Sequence, residues 1–220
     1  MSNQYLEQVE FDTSNPEARC PCILLVDVSG SMSGAPIDQL NQGLQIFQQA
    51  LQQDSLASVR VEVAVVSFGS GVAIEQDFIL AHQFQAPRLS TSGSTPMGEA
   101  INLALDMIRR RKETYKQNGV SYYRPWIFMI TDGGPTDEWR SAAQRIQEEE
   151  ERKGVSFFAV GVQGADVNTL AQISTRQPIM LKGLNFKDMF VWLSASLASV
   201  SQSQPGEQVP LASPAGWGSV

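Results

Sequence analysis

The chain has 220 residues, 42% of them apolar and 18% charged, an ordinary composition for a globular α/β domain with a sizeable core. A formal net charge of −7 argues against a nucleic-acid-binding face or a polybasic membrane anchor. No apolar run approaches the ~18 residues of a membrane-spanning helix. Met1 to Glu10 lacks the basic start and apolar core of a secretory signal, so a cytoplasmic location is expected.

In chain order, Cys20 and Cys22 come first, separated by one proline. A bond between them would close a small strained ring, and no second cysteine pair exists for a zinc site, so both read as free thiols near a strand start. The apolar run from Cys22 to Val26 predicts a strand buried on both faces. Ile37, Leu40, Leu44, Phe47 and Leu51 recur at helical spacing behind Pro36, which suits a first turn. Val59 to Phe68 reads as a second strand, Gly69-Ser70-Gly71 as a turn, and Val72 to Glu75 as a short return strand. Phe78 to Leu89 is ambiguous and allows one further short extended piece. A polar loop, Ser90 to Pro96, precedes a helix through Met97, Ile101, Ala104, Leu105 and Ile108 that stops at Asn118-Gly119. The basic run Arg109 to Lys112 lies towards the end of that helix, where cations suit the macrodipole, and reads as a solvated face. Trp126 to Ile130 is another buried strand, Trp139 to Arg152 a helix, and Val155 to Val162 a strand. Asp166 caps a short helix, Pro178 to Leu181 forms a last strand, and Phe186 to Val200 carries an apolar helical stripe.

This alternation predicts an α/β, doubly wound, mainly parallel six-stranded sheet with one antiparallel edge strand and helices on both faces. The expected division is an N-terminal extension (1–19), one domain (20–202) and a mostly flexible polar tail (203–220) whose end has the composition to dock.

In such a sheet, ligands sit at the carboxyl ends of the strands, near the reversal of strand order. Three polar clusters fall on that edge: Asp27, Ser29 and Ser31 after the first strand, Ser94-Thr95 before the long helix, and Asp132 after a buried strand. As an isolated stretch, the first is equally well a loop with turn and cap residues. Together, two carboxylates and three hydroxyls can hold a hard divalent cation with water completing about six ligands. So few protein charges leave the ion electron-poor and ready for one more anionic oxygen. Neutral hydroxyls and few carboxylates favour Mg²⁺, with Mn²⁺ and Ca²⁺ as alternatives. Met32, Ser33, Ser94 and Pro135 are expected to rim the ion.

"DVSGS" (27–31), "GSTPMGEA" (93–100) and "TDGGPTD" (131–137) closely resemble, in order and placement, the metal-ion-dependent adhesion site of the von Willebrand factor A domain. The resemblance runs from about Pro21 to Val200. It implies Ser29, Ser31 and Thr95 as direct ligands, Asp27 and Asp132 acting mostly through water, and Thr95 switching in or out. It also implies a protein partner whose Asp or Glu completes the shell. "SGSMSGAPIDQLNQGL", "SFGSGV", "STPMGEAINLALDMI" and the terminal "PAGWGSV" look like the bacterial TerY-type branch. That likeness implies an adaptor in a stress, tellurite-resistance or phosphorylation-signalling complex, with a Ser/Thr-type kinase and a metal-dependent protein phosphatase as partners.

Two other functional classes are open to this sequence. A metal-ion or small-ligand sensor would use the same shell. A phosphotransfer enzyme with Asp27 as nucleophile needs a second carboxylate close by and a lysine on the phosphate. Here the neighbours are hydroxyls, and Lys153 and Lys182 are poorly placed. His82, the single histidine, lies off the predicted edge, and no Gly-x-Ser-x-Gly elbow, Walker loop or dinucleotide fingerprint occurs, so no catalytic residue is assigned.

Overall fold

The computed structural model describes residues 11–219. Its strands are β1 (Cys20–Asp27), β2 (Val61–Phe68), β3 (Val72–Leu80), β4 (Trp126–Thr131), β5 (Ser156–Gly161), β6 (Ile179–Leu181) and β7 (Gly218–Ser219). Its helices are α1 (Ala35–Gln53), the single turn α2 (Ala57–Arg60), α3 (Met97–Gln117), α4 (Arg140–Glu151), α5 (Val167–Ile173) and α6 (Phe186–Gln202). The sheet order is β3-β2-β1-β4-β5-β6-β7. The pairs from β2 to β6 are parallel, and β3 and β7 are antiparallel at the two edges.

The expected doubly wound α/β sheet is thus present, with one strand more than the six read from the sequence. Gly218–Ser219 is too short to show any alternation, and it pairs with Met180 and Leu181 only because the tail returns to that edge. Three other points differ. β3 continues from Glu75 to Leu80, because Phe78 and Leu80 turn inward while Glu75 and Asp77 face solvent. Ala57–Arg60 winds into a helical turn ahead of β2, started by Asp54, whose side chain accepts from the amides of Leu56 and Ala57. Arg111 is no part of a solvated face: it turns inward to Glu62 at 2.7 Å.

β1, β2 and β4 are buried on both faces in the manner of a parallel sheet. Cys22, Leu24 and Val26 point to the side covered by α1 and α6. Ile23 and Leu25 point to the side covered by α3, α4 and α5. Cys20 and Cys22 are free and fully buried. At the amino edge, Arg19 is buried 3.3 Å from Glu62, which also accepts from Tyr115. At the far edge, residues 203–213 cross the surface irregularly, and Trp217 then packs against Trp192 of α6 with ring centroids 5.3 Å apart. The end of the tail is therefore docked, with Trp217 only 3% exposed.

Strand order reverses at β1. The chain moves from β1 to β2 and β3 on one side, then places β4 on the other, with Val26 beside Ile130. The carboxyl ends of β1 and β4 meet at this switch point.

Candidate metal centre

Asp27 ends β1 and is fully buried. One carboxylate oxygen accepts from the Ser29 amide at 2.8 Å, and the other accepts from the Thr131 hydroxyl at 2.6 Å. Because β1 and β4 are neighbours, the last residue of β4 lies beside the last of β1. Burial raises the Asp27 carboxyl above the usual carboxylate range; the Ser29 and Thr131 donors oppose this, and nearby Asp132 adds to it. A buried charge of this kind is stabilised by a cation.

After Asp27 the chain turns through a short 3₁₀ segment, Gly30–Met32. The hydroxyl oxygens of Ser29 and Ser31 lie 3.0 Å apart, and the Ser31 hydroxyl donates to Asp132 Oδ1 at 2.7 Å. An octahedral Mg²⁺ shell with bonds of ~2.0–2.1 Å places adjacent oxygens roughly 2.9 Å apart. The spacing of the two serine oxygens therefore fits one edge of such a shell, and Asp132 stands behind Ser31. Among the described residues no group of three or more His, Cys, Asp or Glu side chains comes together, so the donor set stays low in charge. Ser29 and Asp132 are buried, whereas Ser31 is exposed, so the cluster opens to solvent on the Ser31 side.

Thr95 is buried on the third segment. Its hydroxyl lies beside Gly133: a Cβ at that glycine would sit 3.5 Å from Thr95 Oγ1. The Thr95 amide donates to the Thr136 hydroxyl at 3.1 Å, and the Thr136 amide donates back to the Thr95 carbonyl at 2.9 Å. Asp137 then accepts from the amides of Gly98 and Glu99 at 3.0 and 2.8 Å, capping α3 from outside the helix. The segment before α3 is also tied to the first loop. Gly30 donates to the Gly93 carbonyl at 3.1 Å, and Ser92 to the Val28 carbonyl at 2.7 Å. Gly93 has φ +74°, and a Cβ there would meet the Ser70 backbone at 2.5 Å, so only glycine closes this contact.

All five residues singled out in the sequence thus lie at one switch-point edge. Asp27, Ser29, Ser31 and Asp132 are joined through the bonds above and the Asp27–Ser29 amide contact, and Thr95 is held against the Asp132 loop by backbone. Thr131, Thr136 and Asp137 were missed as site residues, although they stand inside the same "TDGGPTD" stretch. Their polar side chains after a buried strand were the available signal. Of the expected rim, Ser33 and Ser94 are exposed and Pro135 is half-buried, but Met32 is fully buried in the core under α1. One 3₁₀ turn directs it inward. His82 is exposed near the amino edge, its ring bonded to the Ser58 carbonyl, and Lys182 Nζ is engaged by the Ala215 carbonyl.

A family model, the von Willebrand factor type A domain, matches residues 22–189. The chain belongs to this family. The chain is 23% identical over 199 residues to the human collagen alpha-6(VI) chain, covering 84% of this chain and 8% of the collagen. Among solved structures, a von Willebrand factor type A protein from Catenulispora acidiphila superposes with a TM-score of 0.66 at 15% identity. It is covered over 43% of its length by 83% of this chain. Proximal thread matrix protein 1 from the mussel byssus, with a zinc-occupied MIDAS motif, gives 0.54 at 15% identity, covering 83% of this chain and 48% of that one. The A domain described here thus spans less than half the length of each of these proteins. At these identities the likeness to the solved structures is one of fold.

Proposed function

We propose that this A domain is a non-catalytic, divalent-cation-dependent protein-binding module. Ser29, Ser31 and Thr95 ligate the ion directly, and Asp27 and Asp132 hold it through water. Mg²⁺ is the preferred ion, with Mn²⁺ and Ca²⁺ as alternatives. The observation that carries this reading is the 3.0 Å spacing of the Ser29 and Ser31 oxygens, which matches one edge of an octahedral shell open to solvent at Ser31, with Asp132 bonded to Ser31 behind it. The zinc-occupied motif of the byssus protein supports it from the same fold. When bound, the ion supplies an open position for an anionic oxygen. The residues orient: Asp27 is fixed by Ser29 and Thr131, and because both carboxylates stand behind water while the three direct hydroxyls carry no charge, the ion keeps much of its own. A partner's Asp or Glu carboxylate then meets a concentrated charge partly shielded from water, an attraction stronger than that of an exposed salt bridge.

The finer reading rests on the TerY-type resemblance of the sequence. It makes the protein a cytoplasmic adaptor in a bacterial stress or phosphorylation-signalling complex, recruiting a Ser/Thr-type kinase and a metal-dependent phosphatase. Residues 20–202 form the binding unit, flanked by the extension 1–19 and the tail 203–220.

Two measurements test this. Calorimetry should show one Mg²⁺ or Mn²⁺ bound by the wild type and none by Asp27→Ala, with the circular dichroism of the fold unchanged; equal binding by both would sink the site. Co-purification with Mg²⁺ or chelator, using wild type and Thr95→Ala, should retain a partner only for wild type with metal. A partner kept equally in all four conditions would place the interaction elsewhere.

A further inference from the structure

Away from the metal centre, the outer faces of α3 and α4 enclose a groove of about 270 Å³. Its apolar lining is Leu105, Ile108 and Val155. Its walls carry five cations, Arg109, Lys112, Lys116, Arg145 and Arg152, against three carboxylates, Glu113, Glu148 and Glu149. This is a local positive excess in a chain of net charge −7. The cations are unevenly compensated. Arg145 is held by Asp106 at 2.8 Å, and Arg152 by Glu149 at 2.9 Å. Glu149 must also serve Lys112, at 3.9 Å. Arg109 reaches only Asp106, already engaged, at 3.6 Å, and among the described residues no carboxylate lies within 4.0 Å of Lys116. Lys112 is accordingly held below the usual lysine range, first by burial and then by the repulsion of Lys116 and Arg152, against the pull of Glu149.

We propose that this groove is a second docking site, independent of the metal, for an acidic segment of a protein partner that carries an apolar side chain between its carboxylates. The carboxylates meet Arg109, Lys112 and Lys116, and the apolar side chain lies over the aliphatic stems of these residues, because Leu105, Ile108 and Val155 are themselves buried. The cations spread over about 10 Å of α3, from Arg109 to Lys116, with aliphatic stems between the charges, which fits such a segment better than a compact anion that could reach only part of the row. At ~1.5 Å per residue, Lys116 stands roughly 28 Å along α3 from Met97. A partner bound at both places would gain from effective concentration without any new contact at the ion.

The probe is a fluorescein-labelled heptapeptide, Glu-Asp-Glu-Leu-Glu-Asp-Glu, followed by anisotropy at low ionic strength. Wild-type protein should bind it, and Arg109→Glu with Lys116→Glu, both at exposed positions, should weaken binding by about tenfold or more. Lys112→Gln should weaken it less, with melting temperatures showing that each variant is folded. Chelator and Asp27→Ala should leave the affinity unchanged, which separates this site from the metal centre. Replacing the peptide's leucine by serine should weaken binding severalfold. The proposal is overturned if the wild type does not bind, if the folded double variant binds as tightly as wild type, or if chelator abolishes binding. It is equally overturned if tripolyphosphate displaces the peptide while the leucine makes no difference, because the groove would then be a small-anion site.

Discussion

Asp27 owes its behaviour to two donors, and one of them can be removed without touching the carboxylate. Thr131→Val keeps the shape of the side chain but leaves a fully buried Asp27 oxygen without its hydroxyl partner. An unsatisfied buried acceptor costs about 1–3 kcal/mol. Urea unfolding in chelator should show a loss of that size, and calorimetry a metal affinity lower by roughly tenfold or more, since partners behind a ligand orient it. The cysteines give a second expectation at this scale. Burial pushes the Cys20 thiol up to about 12, and Cys22 is raised well above its ordinary value by burial and by Cys20. Both should resist a thiol reagent in the native protein and react fully in denaturant; fast native labelling would contradict their burial. The pattern Asp-x-Ser-x-Ser was legible in the sequence because alternate oxygens after an apolar run are readable from spacing alone. The inward turn of Met32 was not, because its direction is set by a single 3₁₀ turn.

At the scale of elements, the site is an arrangement of loops braced against one another. Asp137 shows how this works: it caps α3 across about forty residues of sequence and so ties the Thr95 segment to the Asp132 loop. Asp137→Ala should cost about 1 kcal/mol, the usual worth of a cap. It should also weaken metal binding while leaving all five donor residues in place, which paired unfolding and calorimetry would show. Gly98 marks the same junction. A Cβ there would meet the Glu138 carbonyl at 2.1 Å, so the start of α3 packs against backbone. The helices were legible from their apolar spacing, and the buried strands from their continuous runs. The extension of β3 is ambiguous in the sequence because Gln76 and Asp77 interrupt the apolar alternation ahead of Phe78, and the Asp137 cap is not readable there because it is non-local. Arg111 was misread for the same reason: its partner Glu62 lies on β2, forty-nine residues away.

For the molecule as a whole, the sheet is finished by its last residues. Trp217 is buried between the tail and α6, the Lys182 amide donates to its carbonyl at 2.8 Å, and Gly218–Ser219 covers the free edge of β6. Trp217→Ala should destabilise the protein by roughly 3–5 kcal/mol, the range for large aromatic truncations in a core. A change well below 1 kcal/mol in urea unfolding would mean that the docked tail contributes little. Composition could not reveal this strand, because serine, proline and glycine dominate the tail and its two paired residues have no apolar pattern.

The same packing gives the molecule an optical signature. Trp192 and Trp217 hold their rings 5.3 Å apart at 56°, close enough for their electronic transitions to couple, whereas Trp126 and Trp139 lie on other elements. A coupled pair fixed at an angle is chiral, so it contributes a near-ultraviolet dichroism band that two independently moving rings would not. Tail docking therefore reports itself. Titrating a partner or an ion while watching that band reads the far edge of the sheet directly, with no label attached and no residue changed.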